Sequence, residues 1–196
     1  TTGFGTLWLA PRLKILYERH PRIQINLMLE ERLLNLSMRE ADVAIRLQPP
    51  SQADLIQRKL FSIRVHFFAT KDYISKKGLP KNIDELSSNH RLICYDPDSD
   101  QISAAKRFIA PFLSKKNFSL LLLNNYYGIF RAVRNGLGVG TLPDYLANDF
   151  PELVRVLPEF QSEVVPIYIA YPQELKKSKR LTAFKDFIVN EFKENS

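Results

Sequence analysis

The sequence predicts an α/β protein of two lobes. Three observations carry that expectation. Helical and strand-like periodicities alternate from the start of the chain, the mark of a sheet with crossover helices. A middle stretch has enough strands and helices for a sheet of its own. A late β-rich run, VVPIYIAYP, and a final amphipathic helix then supply segments that return to the first lobe. Residues 1–69 and 161–196 are read as lobe I and 70–160 as lobe II, joined by two crossings with a cleft between them.

The elements follow in order. Leu9, Leu13, Leu16 and Tyr17 recur at helical spacing over 7–19, with Pro11 tolerated in a first turn and Pro21 as the stop. The preceding TTGFGT reads as a capping loop. Ile23, Ile25, Leu27 and Leu29 alternate as a strand. RLLNLSMREA reads as a short helix and DVAIRL as a second strand, with Val43, Ile45 and Leu47 on its apolar face and Asp42, Ala44 and Arg46 opposite. LIQRKLFSIRVHFFAT (55–70) holds one bent strand or two. KDYISKKG is a helix closed by Gly78, NIDELSS another, and RLICY a strand. A helix is expected around 104–113, then a strand in NFSLLLLN. NYYGIFRAVRNG places Tyr126, Ile129, Phe130 and Val133 on one helical side, with Gly136 as its stop. VGTLP, LVRVLP and VVPIYIAYP are strands, DYLAND a short helix. Leu181, Phe184, Ile188 and Phe192 mark the last helix.

Composition limits the function. The 196 residues are 45% hydrophobic and 25% charged, as in an ordinary globular protein. No run is long and apolar enough for a membrane span, and the N-terminus lacks the pattern of a signal peptide. The single cysteine, Cys94, excludes an intramolecular disulfide and a cysteine metal cluster, and reads as a core thiol in a reducing compartment. The formal charge of +7 favours anionic partners. Its densest group, KKSKR (176–180), also fits a solvated face. His20, His66 and His90 show no ligand spacing, and no nucleophile elbow or P-loop occurs. Neither metal, cofactor nor catalysis is expected.

Three places can carry binding chemistry. Arg46, toward the end of a strand taken as parallel, suits a carboxylate or phosphate at the crevice where open sheets bind ligands. It equally suits a structural ion pair. The amides of TTGFGT, with Thr2 and Thr6, suit an anion at a helix start, although capping alone accounts for them. NNYYG (124–128) offers a helix cap and two aromatic walls with polar tips.

Four stretches together resemble the effector-binding domain of LysR-type transcriptional regulators: TTGFGTLWLAPRL (1–13), MREADVAIRLQPP (38–50), NNYYGIFRAVRNGLGVGTLPDYL (124–146) and YPQELKKSKRLTAFKDFI (171–188). Their order and spacing match across essentially the whole chain. The resemblance implies two Rossmann-like lobes with a central cleft, similar to type 2 periplasmic binding proteins. It implies a ligand-sensing regulatory domain of a cytoplasmic regulator. A periplasmic-type solute-binding protein of a transport system is the alternative on the same fold. The resemblance also implies homodimers, tetramers in the full-length protein, and DNA contact only through an N-terminal winged helix-turn-helix domain outside this chain. Carried over position by position, the cleft would use Thr2, Gly3, Phe4, Gly5, Thr6, Glu30 and Glu31, Arg46 with Gln48, and Phe67 near a hinge. Asn125, Tyr126 and Tyr127 would come from the far lobe. The two glutamates would disfavour an anionic effector unless Arg46 offsets them.

Overall fold

The structure, a computed structural model, describes residues 1–32, 34–47, 54–96, 103–113 and 119–194. Its contacts divide the chain into two units, 1–62 with 166–196 and 63–165. The long β-rich run therefore breaks into two strands at Arg64, β2 (Leu55–Ile63) and β3 (Val65–Thr70). Residues 63–69 and 161–165, which the sequence reading assigned to lobe I, lie in the second unit.

Unit 1 opens on helix rather than on a loop. α1 (Thr2–Phe4) runs through a π-helical turn, Gly5–Leu9, into α2 (Ala10–Arg19). Pro11 is thus well inside a continuous helix and not in its first turn. The π turn accommodates it. Proline lacks the N–H for an ordinary helical bond and crowds the carbonyl four residues back. The Ala10 N–H instead reaches five residues back to the Gly5 carbonyl, which is how a π-bulge inserts its extra residue. Arg12 Nη1 donates to the Trp8 carbonyl at 3.1 Å and its guanidinium lies over the Trp8 ring at 4.7 Å. Phe4 stacks on Trp8 at 4.9 Å, Trp8 meets Phe61 and Phe192, and Phe61 stacks on Phe192 at 3.5 Å. This aromatic cluster joins the first helix, β2 and the last helix, α8 (Lys179–Glu194).

Two expected elements of unit 1 are not formed. Residues 22–30 keep the alternating burial of a strand at Ile23, Ile25 and Leu27, but no strand is assigned there. Met28 and Leu29 remain 41% and 40% exposed. Alternation records which side chains face the core; a strand also needs a neighbouring backbone to pair with. In place of the expected helix over 32–41, residues 36–39 form a turn. Glu40 Oε2 accepts the Asn35 N–H, Asn35 Oδ1 accepts the Met38 N–H, and Arg39 takes φ 57°. Asparagine and glutamate side chains here bond the backbone locally, and such bonds compete with helix formation. The sheet of unit 1 has the order β1-β8-β2, where β1 is Ala44–Arg46 and β8 is Val165–Pro172. β1 pairs antiparallel with β8, Arg46 opposite Tyr168, so it is not the parallel strand expected.

Unit 2 carries a five-stranded sheet in the order β5-β4-β6-β3-β7. β4 is Arg91–Tyr95, β5 Ser119–Leu123, β6 Val139–Pro143 and β7 Leu153–Gln161. β4 pairs parallel with both β5 and β6, while β3 runs antiparallel to β6 and β7. Helices cover both faces. α3 (Lys71–Lys77), α4 (Ile83–Asn89) and α5 (Ser103–Leu113) pack on the face built by Phe67, Leu92, Cys94 and Val139. α6 (Tyr126–Arg134) lies on the other face, where Gly140 admits Val133 and Ile129. The expected stops hold, Gly78 at φ 84° and Gly136 at φ 71°. α7 (Leu146–Asp149) completes the unit. No described helix is long and apolar enough to cross a membrane.

Candidate functional site

In unit 1 the site residues meet at the start of the first helix. The Thr2 N–H donates to Glu31 Oε1 at 2.8 Å. A helix start attracts an anion through its free N–H groups, and here the chain's own carboxylate takes that place. The Gly5 N–H is already bonded to the Thr1 carbonyl. Gly3, Phe4 and Gly5 are buried, and a Cβ on Gly5 would collide with the Leu29 side chain. These residues close the core beneath the helix start, whereas Thr6 is half-buried. Glu30 is exposed beside Arg32, with 3.8 Å between charged atoms.

Arg46 is buried at 8% exposure, and its Nη2 donates to the Leu34 carbonyl. Burial holds its pKa below the usual guanidinium value. Among the described residues it has no ion pair, so it neither balances Glu30 nor Glu31. The expected apolar face is also reversed in depth, because Arg46 is more buried than Val43, Ile45 or Leu47. Its methylene stem packs inward while the guanidinium serves a backbone acceptor. Gln48 lies outside the described residues.

In unit 2 the site residues gather at the carboxyl ends of parallel strands. β5 and β6 lie on opposite sides of β4, so the chain changes direction across the sheet at β4. Such a switch point opens a crevice for ligands. Asn125 caps α6 there, its Oδ1 accepting the Gly128 N–H at 2.7 Å and its Nδ2 donating to Asn124 Oδ1 at 3.0 Å. Tyr126 is buried against Tyr95, ring centres 5.2 Å apart, and Tyr127 is half-buried. The Asp96 N–H donates to the Leu123 carbonyl at 2.9 Å, tying the ends of β4 and β5 together. Tyr95 and Asp96 were not among the sequence candidates. Their signal was available: RLICYD ends a buried run with a tyrosine and a carboxylate, where a parallel strand would present them. Phe67 does not join this group. It is fully buried on the opposite helical layer with Phe108 and Phe112.

Burial shifts several titratable groups of unit 2 away from reactivity. Burial pushes the Cys94 thiol up to about 12, with Asp96 adding to it. Burial lowers His66 to about 4, helped by Arg155 and Arg64. His90 is likewise lowered by burial and contacts the Tyr73 hydroxyl at 3.1 Å through Nδ1. The described residues thus present capping amides, aromatic walls and carboxylates rather than an activated nucleophile.

The family model for the LysR substrate binding domain matches residues 1–193. The chain is 30% identical over 193 residues to the HTH-type transcriptional regulator CrgA of Neisseria meningitidis serogroup C, covering 95% of this chain and 63% of that protein. It is 27% identical to an uncharacterized HTH-type transcriptional regulator of Haemophilus influenzae, covering 86% and 59%. The chain therefore spans about three fifths of the length of the curated relatives it matches. Among solved structures, the regulatory domain of CrgA superposes with a TM-score of 0.77 at 26% identity, covering 97% of this chain and 95% of that one. The effector domain of AmpR from Pseudomonas aeruginosa shares the fold, with a TM-score of 0.71 at 17% identity over 96% and 90%. These relatives are regulators and not enzymes. By the match along nearly its whole length, the chain belongs to the LysR substrate-binding domain family.

Proposed function

We propose that this chain is the ligand-sensing part of a cytoplasmic, DNA-binding transcriptional regulator and carries no catalytic activity of its own. One observation carries the reading. The chain matches the isolated regulatory domain of CrgA almost end to end, yet only 63% of the full-length relative. That is the relation a regulatory domain has to a protein that also holds a helix-turn-helix segment.

A small molecule binds this chain. The candidate contacts in unit 1 are the Thr2–Thr6 helix start, Glu30 and Glu31, and those in unit 2 are Asn124, Asn125, Tyr126 and Tyr127. Glu31 already occupies the helix start and Arg46 is committed to a carbonyl. The unit 1 wall is therefore acidic in character, and the effector is cationic, zwitterionic or neutral. Binding favours one arrangement of a homodimer over another, and in the longer protein a tetramer passes that preference to the DNA-binding heads. Exposed apolar side chains supply the dimer contact: Met28 and Leu29 in unit 1, Leu120 and Leu122 in unit 2.

A thermal-shift screen of small amines, amino acids, carboxylic acids and aromatics tests this. A ligand at about 100 times its Kd stabilises the fold by about 2.7 kcal/mol, and melting rises accordingly. The expected hit carries an amine or no net charge, and Tyr127→Ala with Asn124→Ala removes its shift while the unliganded melt stays near wild type. Turnover of the ligand by the chain, or a shift that survives both substitutions, would overturn the reading.

A further inference from the structure

Some charged side chains on this surface form ion pairs. Lys14 sits with Glu18, Arg32 with Glu40, Lys76 with Asp72, Arg107 with Glu163 and Arg134 with Glu152. One region of unit 1 instead gathers six cations around a single carboxylate. Two shallow grooves flank α8. The first, of about 360 Å³, collects Arg19 from the end of α2 with Lys177 and Lys179 ahead of and at the start of α8. The second, of about 460 Å³, collects Arg58 and Lys59 from β2 with Lys185 from α8. Asp186 borders both grooves and is the one carboxylate in either lining. It pairs with Lys185 at 3.6 Å. Among the described residues the other five cations have no ion-pair partner. KKSKR, read from sequence as a solvated run, is only one edge of this region.

Bringing six cations from four segments around one helix costs Coulomb energy that the single carboxylate of Asp186 offsets only in part. A partner rich in negative charge offsets it. The geometry selects the kind of partner. Both grooves are open, so they suit a surface laid across them rather than an enclosed small anion. From Lys179 to Asn190 the helix advances about 16 Å at 1.5 Å per residue. Along that length a DNA duplex presents roughly nine phosphate charges. The outward side of α8 that borders the grooves carries Thr182, Asp186 and Asn190. Phe187 and Val189 also line the grooves but are buried and half-buried, so α8 presents no exposed large apolar group there with which a basic helix enters a lipid interface.

We propose that this basic saddle of unit 1 binds the phosphodiester backbone of duplex DNA without reading sequence. The expectation that DNA contact lies wholly in a preceding domain then applies to base recognition alone. The proposal rests on the regulator reading only for the presence of DNA nearby. Its test uses this chain without effector, so failure here leaves the effector screen standing.

The experiment is fluorescence anisotropy of a labelled duplex of arbitrary sequence, roughly 20 base pairs, titrated with the 196-residue chain between about 50 and 200 mM salt. Binding at low salt is expected to fall steeply with salt. Lys177→Glu with Lys179→Glu should weaken it about tenfold and lower the log–log salt slope by about two, at 0.9 per phosphate contact. Arg58→Gln with Lys59→Gln should act in the same direction. Lys71→Glu with Lys81→Glu, a charge-matched change on unit 2, should alter affinity less than about threefold. Four results would overturn the proposal. They are no binding at low salt, equal loss in the unit 2 control, tighter binding to phosphatidylglycerol vesicles than to DNA with the same residue dependence, and displacement of DNA by low millimolar inorganic phosphate at constant ionic strength. The last two would assign the saddle to a membrane surface or to a discrete phosphate pocket.

Discussion

His66 gives unit 2 a pH dependence whose sign follows from its surroundings. The ring is 3% exposed on β3 and edge-on to Phe68. Burial, with Arg155 and Arg64 nearby, depresses its pKa from 6.5 to about 4. Between those values the unfolded chain takes up a proton that the folded chain refuses. Stability is therefore full above pH 6.5, falls as pH drops through the window, and levels off near pH 4. Allowing for screening by solvent, the loss is on the order of 1–3 kcal/mol. His90 acts in the same sense and Asp144, raised by burial, acts against it. The expected result in urea melts is a wild-type loss between pH 7 and 4 that exceeds that of His66→Gln. Parallel pH profiles for the two proteins would contradict it. Arg46 shows what residue-level pattern conceals. Alternation of apolar residues correctly located a strand near it, but depth depends on what lies above each face. The acceptor that holds Arg46 inside, the Leu34 carbonyl, belongs to an irregular stretch that the sequence read as helix.

Elements were legible where local chemistry and burial agree. α6 combines an asparagine cap, an apolar side of Tyr126, Ile129, Phe130 and Val133 that is wholly buried, and Gly136 past its end. The start of the chain was misread because Pro11 normally marks a first turn, and a π turn leaves no simple spacing in sequence. The segment 22–30 was misread because period-2 burial does not report pairing. The loop after α6 holds a sharper constraint. Gly138 brings the chain against the start of β4, where a Cβ would strike the Arg91 carbonyl oxygen. That neighbour is backbone and cannot rotate aside. Gly138→Ala should cost about 1–3 kcal/mol, as overpacking does, and lower the urea midpoint without changing the slope. An unchanged midpoint would show that β4 and β6 separate there at no cost.

At the scale of the molecule, the proposed homodimer has its clearest physical footing at β5. Among the described residues this strand is an edge of the unit 2 sheet, paired with β4 on one side only. Natural edges are blunted by charge, proline or cover, because an open edge of apolar residues invites association. SLLLL has none of the first two, and Leu120 and Leu122 are 40% and 41% exposed. In the proposed homodimer a second copy would supply the cover. Leu120→Glu with Leu122→Glu would place two carboxylates in that contact, where each loses water without gaining a partner. Both side chains leave the core unaltered, so the melt of unit 2 should hold. Sedimentation velocity should report a dimer for wild type and a monomer for the double variant. By linkage, an effector that binds dimer and monomer with different affinity should shift the wild-type dimer constant by the square of that affinity ratio, one factor per protomer, and the monomeric variant reports the monomer affinity directly. A dimer that survives both substitutions would move the interface away from β5, to the exposed Met28 and Leu29 of unit 1 or elsewhere.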